Sequence, residues 1–282
     1  MKAPSRSLMT LLTFGYAFLY IPIIILVIYS FNESKLVTVW SQFSTVWYEE
    51  LLQDDQLLTA AWTSLRIAFF TATAAVGLGT VAGLVMTRFG RFQGKTFFSA
   101  LITAPLVMPE VITGLSLLLL FVAMDDMLGF PHGRGMFTIW VAHVTLTTAY
   151  VTVIITTRLR ELDNTIEDAA LDLGATPVKV FFVITLPIIA PALISGWLLA
   201  FTLSIDDLVI ASFVAGPGST TLPMVIYSSV RLGVSPKINA LASIIIGIIT
   251  LLAVVTTFVM LRVERQRKKE MEQAIMAANA QM

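Results

Sequence analysis

Long apolar runs separated by short polar segments dominate the chain. They lie at 8–31 (interrupted by Pro22), 67–87, 97–124, 136–157, 188–214 and 240–261. A helix needs about 20 apolar residues to cross roughly 30 Å of hydrocarbon, and each run reaches that length. The runs are continuous rather than alternating, which predicts helices and argues against a β-barrel. The pattern therefore predicts an all-α polytopic membrane protein with six transmembrane helices. Lys2 and Arg6 precede the first run like the charged start of a signal peptide. That run is too long for one and no small-residue cleavage pattern follows, so an uncleaved span is expected.

The basic residues alternate in density between successive connections, and such asymmetry sets orientation. With the N-terminus inside, the inner segments hold Lys2 and Arg6, then Arg88, Arg91 and Lys95, then Arg158, Arg160 and Lys179, then Arg262, Arg265, Arg267, Lys268 and Lys269. The outer segments hold only Lys35, Arg66, Arg134, Arg231 and Lys237. Both termini are thus expected in the cytoplasm. Trp40, Trp47, Tyr48 and Trp62 fall in or beside the first outer loop, where interfacial aromatics are expected.

Composition agrees with the pattern. Of 282 residues, 57% are hydrophobic and 13% charged, against about 25% charged in soluble chains. Mean hydropathy is +0.85. Such a chain cannot cover a globular surface with polar groups, and lipid must cover part of it. The net charge of zero does not point to nucleic acid. The lack of cysteine excludes disulfides, thiolate metal sites and a cysteine nucleophile. Residues 1–261 read as one transmembrane domain, and 262–282 as a charged cytoplasmic tail.

Two loops carry more information than topology. Between the fifth and sixth runs, Thr221 is placed to cap a short apolar helix that Gly233 would end. That helix is too short to span, and it suits the outer interface or an external partner. The connection at 158–187 is more distinctive. Thr165-Ile166-Glu167-Asp168 has the form of a capping box. Ile166, Ala169, Ala170 and Leu173 line one helical face, with Glu167, Asp168 and Asp172 on the other side. Gly174 stops the helix and Pro177 starts another. Anionic lipid favours basic faces, so a small apolar face backed by acidic residues suits a protein partner better than a membrane surface.

Asp168-Ala169-Ala170, Gly174 three residues on, and Ile184-x-Leu186-Pro187 after nine more resemble the EAA loop of type I ABC importer permeases. One departure is Asp168 in place of the glutamate, with Glu167 beside it. The resemblance implies that Glu167, Asp168, Ala169, Ala170, Gly174 and Pro187 form an ATPase-coupling element. Met108-Pro109-Glu110-Val111-Ile112-Thr113-Gly114 is similar to a segment of polyamine permeases, as are Ser204-Ile205-Asp206-Asp207-Leu208-Val209-Ile210, Phe213 to Gly218 and Val234 to Ala242. It implies a substrate such as putrescine or spermidine and a heterodimer with a second, homologous permease. It further implies a homodimeric cytoplasmic ATPase that binds ATP and Mg, and a periplasmic polyamine-binding protein. No cofactor is expected in this chain itself. The location implied is the bacterial inner membrane, with many passes.

Carboxylates in apolar runs are costly and are functional candidates. Glu110 lies beside Pro105 and Pro109, which would bend the third run and free carbonyls. Asp206 and Asp207 end the apolar stretch of the fifth run. Carboxylates and loosened carbonyls suit a diammonium ion, and no Lys or Arg interrupts the third to fifth runs. Trp197 and Phe201, one turn apart, offer cation–π faces. The same acids could instead cap a helix or meet a partner, and the aromatics could simply pack.

Other patterns fail. Gly90 to Thr96 has three residues between its glycines where a phosphate loop has four. Ser116 and His143 sit in plain apolar helices, and His132 lies in a polar loop, so neither a catalytic group nor a metal site is expected. An ion-driven transporter of cationic solutes is the alternative. It would need paired breaks in two halves, and the sequence marks only the one at Glu110.

Overall fold

The computed structural model of the chain describes residues 5–36, 39–232 and 235–251, with 254, 258 and 262. Among these, regular structure is helical apart from one isolated bridge between Asn32 and Phe43. The chain divides into two compact units, 1–54 with 230–282, and 55–229. Among the described residues, five helices are long and apolar enough to cross a membrane: Ser7–Tyr29, Asp55–Arg88, Glu110–Leu128, Met136–Glu161 and Pro177–Asp206.

In the first unit, α1 (Arg6–Tyr29) leads into a tightly bonded loop and a short helix α2 (Val46–Leu52). Asn32 organises the loop. Its Nδ2 donates to the Val39 carbonyl, and its Oδ1 accepts from Ser41 N–H. Trp47 Nε1 donates to the Asn32 carbonyl at 2.7 Å, and Trp47 is buried. The expectation that Trp47 anchors at an interface is therefore corrected: its indole fills the loop's own core. Trp40 stays exposed, edge-on to Tyr29. The sixth apolar run begins as Pro236–Leu251. Its Lys237 lies 3.4 Å from Glu50 and 3.5 Å from Asp54. Most of the rest of that run, Gly233 and the tail at 263–282 lie outside the described residues.

The second unit is built on α3 (Asp55–Arg88), α6 (Met136–Glu161) and α9 (Leu186–Asp206). Small residues let these helices approach. Ala68, Ala72 and Ala75 of α3 are fully buried, and a Cβ on Gly79 would stand 2.8 Å from Val151 of α6. In lipid, where apolar tails offer no hydrophobic gain for association, close backbone packing of this kind drives helix pairing. Ala72, Ala75, Val151, Ile155, Leu159, Ile189 and Ala200 form one core. Ile67, Phe121, Ile139, Ala142, Leu146, Ile210, Ala211 and Val214 form another, joining α3 and α6 to α5 (Glu110–Leu128) and α10 (Val209–Val214).

Two of the apolar runs are not single helices. The third divides into α4 (Lys95–Val107) and α5, with Met108 and Pro109 extended at ψ 135° and 134°. A residue before proline is pushed out of the helical region, and proline has no N–H to continue the ladder. The fifth run breaks at Asp207, whose ψ is 122°, before α10 begins. The sequence showed no second break, and the structure supplies one. Upstream, α7 (Asn164–Asp172) and α8 (Pro177–Val180) precede a π segment, Phe181–Thr185, that leads into α9. Pro187 accounts for the π turn. Its ring would crowd the Val183 carbonyl four residues back, and widening the helix relieves the clash.

After α10, α11 (Leu222–Leu232) follows a tight loop. Thr221 was expected to cap it. Instead Ser64 Oγ of α3 accepts the Leu222 N–H at 2.8 Å, while Thr221 Oγ1 is buried without a hydrogen-bond partner.

Candidate functional site

In the loop at 158–187 the helix cap is Asp163, not Thr165. Its side chain accepts the Thr165 N–H at 3.0 Å and caps α7. Those hydrogen bonds from Thr165, backbone first and side chain second, hold the Asp163 carboxyl below its ordinary range. The sign follows: the cap is fully present above the usual carboxylate pKa and is lost as pH falls through the lowered value. Gly174 ends the helix at φ +86°, in the left-handed region. Its N–H donates to the Leu171 carbonyl at 2.9 Å, and Ala175 N–H to that of Ala170 at 3.0 Å. This pair of bonds is the Schellman stop that a glycine in that position serves.

No residue of α7 is buried. Ile166, Asp168, Ala169 and Leu173 face outward, with Leu173 90% exposed, and Ala170 is half-buried. Glu167 points the other way. Its Oε2 lies 2.8 Å from Arg88 Nε, and its Oε1 accepts Thr185 Oγ1 at 2.6 Å. An open cavity of about 590 Å³ adjoins this pair, with Leu84, Phe89, Leu171, Val178 and Phe182 in its wall. Pro187 sits exposed in the first turn of α9. Of the six residues expected to act in coupling, Glu167 is thus turned into its own chain, and Asp168 is exposed in the wall of the same cavity.

The second group lies at the helix breaks. Asp207 has a side chain only 6% exposed. Its Oδ2 accepts the Ala211 N–H at 2.7 Å, and its Oδ1 the Ile210 N–H at 3.4 Å, which caps α10. The same Oδ2 stands 3.1 Å from His143 Nε2, so that nitrogen is the donor. His143 Nδ1 shares a hydrogen bond with Ser204 Oγ at 2.7 Å. His143 was read as a residue of a plain apolar helix. It is a buried bridge between α6, α9 and the break. Only its rarity in an apolar run could have flagged it, since its partners lie 61 and 64 residues away.

Asp206 and Glu110 are exposed. α10 runs against α6, because Asp207 meets His143 while Val214 accepts from Thr138 at 2.7 Å. α5 and α10 touch where Gly114 faces Phe213 and Ile210. Glu110 precedes Gly114 by four residues, and Asp206 precedes Ile210 by four. Each of the two exposed carboxylates stands at an interruption in a helix.

Trp197 and Phe201 are half-buried and stacked at 5.2 Å, and Phe69 of α3 meets Trp197 edge-on at 5.7 Å. Trp197 Nε1 donates to Thr73 Oγ1 at 3.2 Å. One face of each ring is committed to the other. Among the described residues no group of three or more His, Asp or Glu could hold a metal ion.

Residues 75–269 match the family described as "Binding-protein-dependent transport system inner membrane component". The chain belongs to this family. It is a transport permease component and not an enzyme. The permease is 62% identical over 273 residues to the putrescine transport system permease protein PotI of Escherichia coli (strain K12), covering 97% of this chain and 96% of that one. It is 42% identical over 231 residues to the spermidine/putrescine transport system permease protein PotC of the same organism, covering 82% and 85%. Its fold is similar to a chain of a bacterial ABC transporter involved in the import of the acidic polysaccharide alginate. There the TM-score is 0.69 at 17% identity, covering 91% of this permease and 98% of that chain. The described helices fit that fold.

Proposed function

We propose that this permease carries polyamines, putrescine foremost, as one half of the transmembrane path of an ATP-driven importer. The observation that carries the reading is 62% identity over nearly the whole chain to a putrescine permease. The geometry supports it. Glu110 and Asp206 are exposed carboxylates at two helix interruptions, and a diammonium ion needs two acceptors of that kind. Asp207 positions the break that carries Asp206. Trp197 and Phe201 stack on one another and pack against the helix core, with part of each ring exposed as an aromatic wall.

The importer assembles as a heterodimer with a second, homologous permease. A homodimeric cytoplasmic ATPase supplies ATP and Mg binding, and a periplasmic polyamine-binding protein delivers substrate. The chain lies in the bacterial inner membrane with six spans and both termini in the cytoplasm. Residues 1–261 form its transmembrane domain and 262–282 its tail. The loop at 158–187 docks on the ATPase through the outward face of α7. Nucleotide-driven closure then moves α7, and the path opens outward. The two helix breaks would also suit an ion-driven carrier, but membership of a binding-protein-dependent family favours the importer.

The test is uptake of labelled putrescine in a host lacking polyamine importers, supplied with this chain and its cognate subunits. Uptake should require the ATPase and be reduced by excess unlabelled polyamine. Uptake no greater than in the host lacking this chain, or equal uptake without the ATPase, would refute the reading.

A further inference from the structure

A helix with no buried residue has little hydrophobic hold on its own protein, so force applied to α7 must pass through polar contacts or the chain ends. One polar contact stands out. Arg88 ends α3, and its Nη1 donates to the Leu159 carbonyl near the end of α6 at 3.2 Å. Its Nε faces Glu167 of α7 at 2.8 Å. Glu167 in turn takes the hydroxyl of Thr185, the last residue of the π segment that leads into α9. A single guanidinium–carboxylate pair thus ties α7 to three core helices of its unit. Both side chains are mostly enclosed, at 20% and 13% exposure, where screening is weaker than at an open surface.

We infer that the Arg88–Glu167 pair is the joint that passes displacement of the coupling helix to α3, α6 and α9, with Arg88 and Glu167 acting as positioning residues within the permease. Three features support this. The guanidinium stays charged and planar, so Nη1 holds the Leu159 carbonyl while Nε, which makes no hydrogen bond of its own, lies against the carboxylate as an ion pair, an arrangement a lysine ammonium reproduces with less geometric control. The pair ends on a π segment, a rare local form found often at functional sites. The faces of α7 also divide the work: Ile166, Ala169 and Leu173 are exposed for a partner, while Glu167 is bound within its own chain.

The inference rests on the importer reading above, and the experiment separates the two. The assembled importer is purified with wild-type chain, with Glu167→Gln, with Arg88→Lys and with Leu173→Asp. ATPase content is measured, and hydrolysis is measured with and without polyamine-loaded binding protein. Glu167→Gln keeps an acceptor for Thr185 and loses the ion pair. It should retain the ATPase subunit and lose stimulation by about tenfold, within the usual range of allosteric coupling. Leu173→Asp, on the outward face, should lose the ATPase subunit itself. A Glu167→Gln importer with wild-type stimulation and transport overturns the joint. If Glu167→Gln does not assemble, Arg88→Lys gives the same ratio, and wild-type stimulation there also overturns it. A wild-type chain that captures no ATPase refutes the importer reading and the joint with it.

Discussion

Asp206 and Asp207 are adjacent, yet a helix end falls between them and divides their tasks. Asp206 closes α9 and is exposed, whereas Asp207 turns back to cap α10 and take His143. Asp206→Asn should leave folding intact and lower polyamine uptake by roughly tenfold or more, because a charge-assisted hydrogen bond is worth about 1.5–3 kcal/mol. Asp207→Ala should act on the fold instead. It orphans the His143 N–H and removes a helix cap, at about 1–3 kcal/mol for the buried donor alone. Thermal unfolding in detergent and labelled uptake separate the two effects. Equal uptake loss at equal stability in both variants would contradict the division. The sequence marked both acids, because ionisable residues in apolar runs are conspicuous. It could not mark the partnership of Asp207 with His143, since no local spacing encodes a contact across 64 residues.

At the scale of elements, capping chemistry was readable and helix interruption only partly so. Gly174 and Pro177 stand where the sequence expects a stop and a start, because the left-handed region and the missing proline N–H are local constraints. The cap at Asp163 and the break at Asp207 were missed. Asp163 lies only two residues before Thr165 and competes with it as a cap, and a break without proline has no strong local signal. The break at Pro109 was sensed as a bend, and the structure makes it a full interruption. Gly174→Val should disable coupling, since a β-branched residue at φ +86° costs about 1–2 kcal/mol and unwinds the stop. Gly174→Asn tolerates the left-handed region and should retain most uptake. Both variants should insert equally in membrane fractions. Full uptake by the valine variant would deny the helix end any part in coupling.

For the whole molecule, hydropathy alone gives a polytopic helical protein, and spacing in one loop gives the family. Helix pairing through Ala72, Ala75 and Gly79 becomes visible only once the partners on α6 are placed. The Arg88–Glu167 joint was likewise hidden. Arg88 served the sequence reading as an orientation signal, and its second role depends on three elements that meet only in the fold. The central claim concerns an assembly, and the most direct test is made on one. A tagged chain is purified in mild detergent from its native membranes, its companions are identified, and their ATP hydrolysis is assayed. The account predicts a second permease and a dimeric ATPase in fixed stoichiometry, with hydrolysis stimulated by putrescine-loaded binding protein. A chain purified alone that still moves polyamine on an ion gradient after reconstitution, without ATP, would contradict it.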